Sequence, residues 1–224
     1  TLLVMVLLAS LGLSWFAVRL RQARRQRAAL DAVQKLGGQI LYQYQWDVHQ
    51  EKYTHHAGTF LSYRYSSNRP VQPAWVRRLL GPDFLDQVVS VEIPPQPGPL
   101  TETELRPLQD LPDLLVLGIH GSEISDAGLG ELGKLKKLLR LSLAKAKIAD
   151  ADLKHLGGLG ELRELSLDGN PITDAGIASL QGFSQLEVLS LDGTQITGAT
   201  IAKLQGLPCL HTLRVSHSRV SDTT

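Results

Sequence analysis

The sequence predicts an α/β fold: a right-handed solenoid with a concave parallel sheet and short convex helices, preceded by a small mixed α+β cap segment and an N-terminal transmembrane helix. Three observations predict it: a leucine register of period 24, an aromatic-rich middle segment and an apolar run at the start. Composition shifts divide the chain into a transmembrane helix (1–18), a basic juxtamembrane helix (19–36), the cap segment (37–87), a degenerate repeat (88–113) and repeats whose last copy is incomplete (114–224).

The register consists of five units that begin at leucines 24 residues apart: Leu114, Leu138, Leu162, Leu186 and Leu210. Each unit opens with an L-x-x-L-x-L pattern, as at Leu162, Leu165 and Leu167, and an isoleucine or valine follows. A degenerate copy at Val88, Val91 and Ile93 precedes the first unit by 26 residues. The L-x-L core predicts a short strand. One unit cannot bury all its leucines alone, so the units must stack.

The second half of each unit, such as "SDAGLGELGKL", predicts a short helix that Ser125 or Asp126, and Thr173 or Asp174, can cap. The apolar residues expected to point inward are Leu129, Leu132, Leu135, Leu153, Leu156, Leu159, Ile177, Leu180, Phe183, Ile201, Leu204 and Leu207. At the turn after each strand, an asparagine would hydrogen-bond the backbone, and only Asn170 is present. Since Ala146 holds this position in the second unit, we expect its turn to be the weakest.

These units resemble leucine-rich repeats, in particular the cysteine-containing, ribonuclease-inhibitor-like subclass. The whole arrangement is similar to bacterial membrane-anchored leucine-rich-repeat proteins with a single span. The resemblance implies a protein-binding solenoid. It also leaves open a substrate-recognition adaptor of a ubiquitin-ligase-like or protease complex, although no F-box counterpart is recognisable, and a structural envelope protein with no discrete ligand.

The first 18 residues are uncharged, and about 27 Å of helix would match a hydrocarbon core. Arginines follow at once, beginning with Arg19 and Arg21, and no small-residue cleavage site precedes them. This order favours an uncleaved single-pass anchor over a signal peptide or a buried helix. The positive-inside tendency places residues 19–224 in the cytoplasm. The arginines serve as a topology signal or contact anionic lipid headgroups.

The middle segment combines an alternating aromatic strand (Ile40 to Trp46), a candidate partner strand over 58–65, a helix around 73–81 and a strand over 87–93. His49, His55 and His56 match no familiar metal-ligand spacing, so no metal or other cofactor is predicted. The net charge of +1 gives no basic globular surface, which argues against nucleic acid as a partner.

Positions that flank the inward leucines form the concave face of the predicted sheet. One interpretation is a mildly acidic groove for a basic protein or peptide, and the other is a solvated sheet face with small hydroxyl residues. The candidate partner-binding residues are Arg140, Ser142, Glu164, Ser166, Asp168, Val188, Ser190, Asp192 and Arg214.

No catalytic group is predicted, and the chain is interpreted as a non-catalytic binding module without a small-molecule substrate. Cys209 and His211 are a weak candidate pair for nucleophilic chemistry. We expect instead that Cys209 is a buried side chain that fills space in the core and is not a reactive thiol. Asp168 and Asp192 would lie on neighbouring strands about 4.8 Å apart. That proximity follows from the repetition itself and is weak support for acid–base chemistry.

Overall fold

The computed structural model describes residues 2–42 and 88–218 of the chain, and the side chains from residue 14 onward in these ranges except Trp15. The α-helices are α1 (Leu2–Lys35), α2 (Glu102–Leu105), α3 (Asp126–Leu132) and α4 (Ala199–Leu204). The 3₁₀ helices are η1 (Arg106–Asp110), η2 (Asp150–Gly158) and η3 (Gly176–Gly182). The strands are β1 (Gln39–Tyr42), β2 (Val88–Ile93), β3 (Val116–Ile119), β4 (Arg140–Ser142), β5 (Glu164–Ser166), β6 (Val188–Ser190) and β7 (Thr212–Arg214).

The strands form one sheet in the order β1-β2-β3-β4-β5-β6-β7, with β1 antiparallel to β2 and every later pair parallel. Leu141, Leu165 and Leu189 pair with one another across β4, β5 and β6. Val91 pairs with Leu117, which brings the degenerate copy into the same register. The predicted parallel sheet of an α/β repeat fold is therefore confirmed.

The core runs as one cluster between the sheet and the convex helices. The strand leucines Leu141, Leu165 and Leu189 have no exposed surface, and neither do Leu138, Leu162 and Leu186 at the start of their units. Burial of each such side chain contributes about 1.5–3 kcal/mol. Because a unit's strand and helix leucines contact the neighbouring units, this burial exists only in the stack.

The short convex helices of the second and third full units, η2 and η3, are 3₁₀ helices. Their inward residues recur at every third position, as in Leu153, Leu156 and Leu159. A 3₁₀ helix has three residues per turn, so side chains at this spacing lie on one face. This spacing is compatible with a 3₁₀ helix but does not require one, since Leu129, Leu132 and Leu135 have the same spacing beside the α-helix α3.

The prediction that Ile201 points inward is wrong. Its side chain is 48% exposed, whereas Ile177, the equivalent residue one unit earlier, has no exposed surface. In the last helix the preceding residue, Thr200, is fully buried, and its hydroxyl donates to a carboxylate oxygen of Asp174 in the previous unit. This hydrogen bond holds Thr200 inward and leaves Ile201 on the outer face of α4.

The C-terminal half of α1 closes the first end of the core. Ala29, Leu30 and Val33 are buried in the same cluster as the strand leucines, and α1 contacts η1 and β1. The helix ends at Lys35, and Gly37 follows with φ of 69°, the left-handed conformation typical of a helix C-terminus. In the described residues, β1 pairs with β2. The candidate partner strand at 58–65 lies outside them, together with the rest of 43–87.

Among the described residues, no helix has both the length and the apolar composition needed to cross a membrane. The side chains of residues 1–13 and of Trp15 lie outside the described part, and these residues make up most of the predicted span.

Candidate partner-binding face

The parallel register arranges the nine predicted binding residues in three rows across the strands. Arg140, Glu164 and Val188 pair with one another in the first row. The second row contains Ser142, Ser166, Ser190 and Arg214. Asp168 and Asp192 follow their strands and define a third row at the carboxyl edge of the sheet, which we call the edge row: His120, Ala144, Asp168, Asp192 and Ser216.

Most residues of the first two rows are buried, and Arg140 and Arg214 are partly exposed. Ser142 and Ser166 have no exposed surface, and Ser190 retains 1%. Val188 and Glu164 are 7% and 9% exposed. Glu164 forms an ion pair with Arg140, with 2.9 Å between Arg140 Nε and Glu164 Oε1. Small side chains between adjacent strands leave little surface, whereas the residues of the edge row are half-exposed or exposed.

The carboxylates of the edge row also hold adjacent units together. Asp168 Oδ1 accepts a hydrogen bond from the backbone N–H of Asp192 at 2.9 Å, and Asp192 Oδ1 accepts one from Ser216 N–H at 2.5 Å. The second oxygen of Asp168 accepts from the Ser166 hydroxyl at 2.9 Å. The repeat therefore gives these two carboxylates the same structural contact, which explains their spacing without any acid–base chemistry.

A contact that the sequence analysis missed lies at the first end of the edge row. His120 Nε2 lies 3.1 Å from Glu92 Oε2, and its Nδ1 lies 3.5 Å from the hydroxyl of Ser142. The 26-residue offset of the degenerate copy could have revealed this contact, since it aligns Glu92 with Gly118 beside His120. An acid, an imidazole and a hydroxyl are in line here, but the buried Ser142 hydroxyl offers no surface to a substrate.

Cys209 is exposed, so the prediction that it is a buried filler is wrong. The ring nitrogens of His211 face other groups: Nδ1 lies 3.0 Å from Thr212 Oγ1 and Nε2 lies 3.9 Å from Glu187 Oε2. Cys209 makes no hydrogen bond to a described residue, so the structure does not pair it with His211 as a nucleophile and base.

On the convex side, a second set of carboxylates joins successive units. Asp150 Oδ1 accepts from Thr173 N–H at 2.8 Å, and Asp174 Oδ1 accepts from Thr197 N–H at 2.9 Å. The Thr197 hydroxyl donates to Asp174 Oδ2 at 2.6 Å. Burial raises the pKa of Asp174, but the hydrogen bonds from Thr197 and Thr200 and the charge of Lys203 outweigh it and keep the pKa below its ordinary value.

The predicted helix caps are found only in part. Ser125 caps α3 by accepting from Gly128 N–H at 3.2 Å, and Thr173 accepts from Ala175 N–H at 3.2 Å. Asp174 instead bonds to the next unit, as described above. Within residues 2–42 and 88–218 no group of three potential metal ligands occurs, and His49, His55 and His56 lie outside these ranges.

Comparison with known proteins agrees with this architecture. A family model described as "Leucine rich repeat" matches residues 160–220. The matched residues lie within the part of the chain whose strands pair in parallel register. No curated protein sequence matches the chain.

Two solved structures are similar to this chain over part of its length. The mouse RP105/MD-1 complex matches with a TM-score of 0.47 and 19% identity, covering 59% of this chain and 22% of that one. Internalin C2 from Listeria monocytogenes matches with a TM-score of 0.37 and 20% identity, covering 63% of this chain and 76% of that one. The chain therefore spans less than a quarter of the first of these proteins.

Proposed function

We propose that this protein is a membrane-anchored, non-catalytic interaction module that binds a basic protein or peptide along the edge row. Leucine-rich-repeat proteins generally mediate protein–protein interactions, and the edge row offers the half-exposed part of the concave side. The observation that carries the proposal is the periodic placement of Asp168 and Asp192, which presents two carboxylates one strand apart on a rigid sheet. Regularly spaced carboxylates complement lysine or arginine side chains on a partner.

The test uses affinity capture with the full chain, purified in neutral detergent, from a lysate of the source organism. Asp168→Asn with Asp192→Asn removes both charges but keeps the Oδ1 acceptors that hold Asp192 N–H and Ser216 N–H. A matched control, Asp126→Asn with Glu161→Gln, removes two charges from exposed residues elsewhere. We expect the edge-row variant to recover at least five-fold less partner than the control at low salt.

Equal recovery by the two variants would contradict binding along the edge row. The recovered protein also separates the candidate functions. A ubiquitin-ligase-like or protease subunit in stoichiometric amount would favour the adaptor function. A single basic partner would support the simple binding module.

We further propose that residues 1–18 anchor the chain in a membrane and that the remainder is cytoplasmic. The uncharged run and the arginines after it support this proposal. Since α1 is continuous from Leu2 to Lys35 and its C-terminal half joins the core, the repeats would sit close to the bilayer. Alkaline extraction should leave the wild type in the membrane and release a Leu8→Arg/Leu11→Arg variant, because each central arginine costs about 2.5–3.5 kcal/mol. Release of both proteins would contradict the anchor.

A further inference from the structure

A cleft lies between the middle of α1 and the segment that contains η1. Its volume is about 400 Å³. Val18, Arg21, Gln22 and Arg25 line it from the α1 side, and Gln109, Asp110 and Pro112 line it from the other side. Two separate elements of the fold therefore build this cleft, and it lies apart from the concave face described above.

The two arginines of the cleft are available for a ligand. Arg21 and Arg25 are one helical turn apart, so their side chains emerge on the same side of α1. Both are exposed, and neither makes a hydrogen bond or an ion pair with a described residue. Two guanidinium groups in this arrangement can bind the oxygens of one phosphate through paired, charge-assisted hydrogen bonds.

The remaining lining limits the kind of phosphate that fits. Asp110 contributes a negative charge beside the two arginines, so the charged lining has a net charge of +1, which a single phosphodiester charge balances. A carboxylate is also a hydrogen-bond acceptor for hydroxyl groups. Val18 and Pro112 add apolar surface on which a glycerol or acyl carbon can pack. This combination suits a phosphodiester that carries one charge and free hydroxyls.

The cleft lies on α1 directly after the uncharged run, where the headgroup layer of a bilayer would begin. The cleft begins at Val18, the last residue of the uncharged run, and ends at Arg25. Seven residues of helix rise about 10 Å. The headgroup layer of each leaflet is roughly 5–8 Å thick. A span that ends at Val18 would place the backbone of Arg21, about 4.5 Å further along the helix, within that layer and the backbone of Arg25 just beyond it, from where its long side chain can reach back to the layer.

We propose that this cleft is a binding site for the headgroup of an anionic phospholipid, with Arg21 and Arg25 on the phosphate and Asp110 on the headgroup hydroxyls. Phosphatidylglycerol has this chemistry. The depth argument rests on the proposed membrane anchor, whereas the charge and shape of the cleft do not. The site would bind one lipid at the point where α1 meets the repeats and would thereby orient the solenoid relative to the membrane.

The experiment is calorimetric titration of the full chain in a neutral, non-ionic detergent. The probes are dihexanoyl phosphatidylglycerol, dihexanoyl phosphatidylcholine and inorganic phosphate. We expect saturable binding of phosphatidylglycerol, at least ten-fold tighter than binding of the other two probes. Arg21→Gln with Arg25→Gln should weaken it at least ten-fold. The matched control Arg24→Gln with Lys35→Gln removes the same charge from α1 outside the cleft and should change it less than two-fold.

Each other outcome overturns a stated part of the proposal. Equal affinity for inorganic phosphate would show a general anion site rather than a lipid site. Equal weakening by the control variant would show attraction to the overall charge of the helix and no defined site. Thermal unfolding of each variant checks that the chain remains folded.

Failure of the lipid-binding site can be distinguished from failure of the proposed membrane anchor. A chain that alkaline buffer extracts but that binds phosphatidylglycerol selectively would retain the site and lose the anchor. A chain that stays in the membrane but does not bind the lipid in the titration would retain the anchor and overturn the site.

Discussion

Asn170 supplies the hydrogen bonds that the turn at Ala146, one unit earlier, cannot make for itself. Its Oδ1 accepts from the backbone N–H groups of Ala146 and Ile148, each at 3.0 Å. Its Nδ2 donates to the carbonyl oxygens of Leu143 at 2.7 Å and Leu167 at 2.9 Å. The turn expected to be weakest is therefore held from the neighbouring unit, because the side chain at this position reaches backward along the stack.

Replacing Asn170 by alanine should be among the most destabilising single changes in the repeats. It leaves two buried N–H groups without an acceptor, and each such loss costs about 1–3 kcal/mol. We expect the free energy of unfolding to fall by about 2–4 kcal/mol, measured by urea denaturation with circular dichroism. Thr194→Ala is the matched control, since Thr194 holds the same repeat position but donates only to Leu191 O. Equal losses in the two variants would contradict the role assigned to Asn170.

The exposure of Ile201 on the outer face of α4 can be tested by comparing it with Ile177, which holds the same repeat position one unit earlier. Ile177 is fully buried, so Ile177→Ala should cost about 2–5 kcal/mol. Ile201 is 48% exposed, so Ile201→Ala should change the free energy of unfolding by less than about 0.5 kcal/mol. Thermal or urea unfolding measures both. A large loss for Ile201→Ala would mean that this side chain packs in the core, as the repeat pattern alone predicts.

Asp174 should contribute to an acid-sensitive part of the stability. Its pKa in the folded protein lies below the ordinary value of 3.8, so the folded state favours the ionised form. The contribution is complete at pH values above that ordinary value and is lost as the pH falls through the lower folded pKa. The free energy of unfolding of the wild type should therefore fall more steeply between about pH 4 and 2 than that of Asp174→Asn.

The control for this titration is Asp126→Asn, which removes an exposed carboxylate from the first turn of α3. It shows how much of the change in Asp174→Asn comes from the loss of one carboxylate charge alone. Parallel profiles for the wild type and Asp174→Asn would show that the hydrogen bonds from Thr197 and Thr200 do not favour the ionised carboxylate.

The single cysteine gives a direct test of orientation. Cys209 is exposed in the folded chain, so a membrane-impermeant maleimide can reach it wherever the repeats face the reagent. With the repeats in the cytoplasm, labelling in intact cells should be below about one tenth of that after lysis, since the bilayer excludes the charged reagent. Cys209→Ser is the background control. Full labelling before lysis would place the repeats on the outer side.

The spacing of the leucines was sufficient to predict the parallel sheet, because the same short pattern recurs in every unit and each copy forms one strand. Each unit has a leucine at its start and two more at fixed offsets, and these side chains are removed from water only when the units stack. The register of Leu141, Leu165 and Leu189 followed from that spacing, and so did the rows of the candidate site. The periodicity did not indicate which rows would remain exposed, because the burial of Ser142 and Ser166 depends on everything packed around them.

The polar contacts between units were decided by the tertiary structure. Asn170 reaches Ala146, Asp174 reaches Thr197 and Thr200, and Glu92 reaches His120, each across 23 to 28 residues of chain. A hydrogen bond requires its atoms within about 3 Å and a favourable angle. Hydrophobic burial has no such directional requirement, so residue spacing was enough to determine the leucine core of this protein, while the polar contacts needed atomic positions that only the folded stack provides.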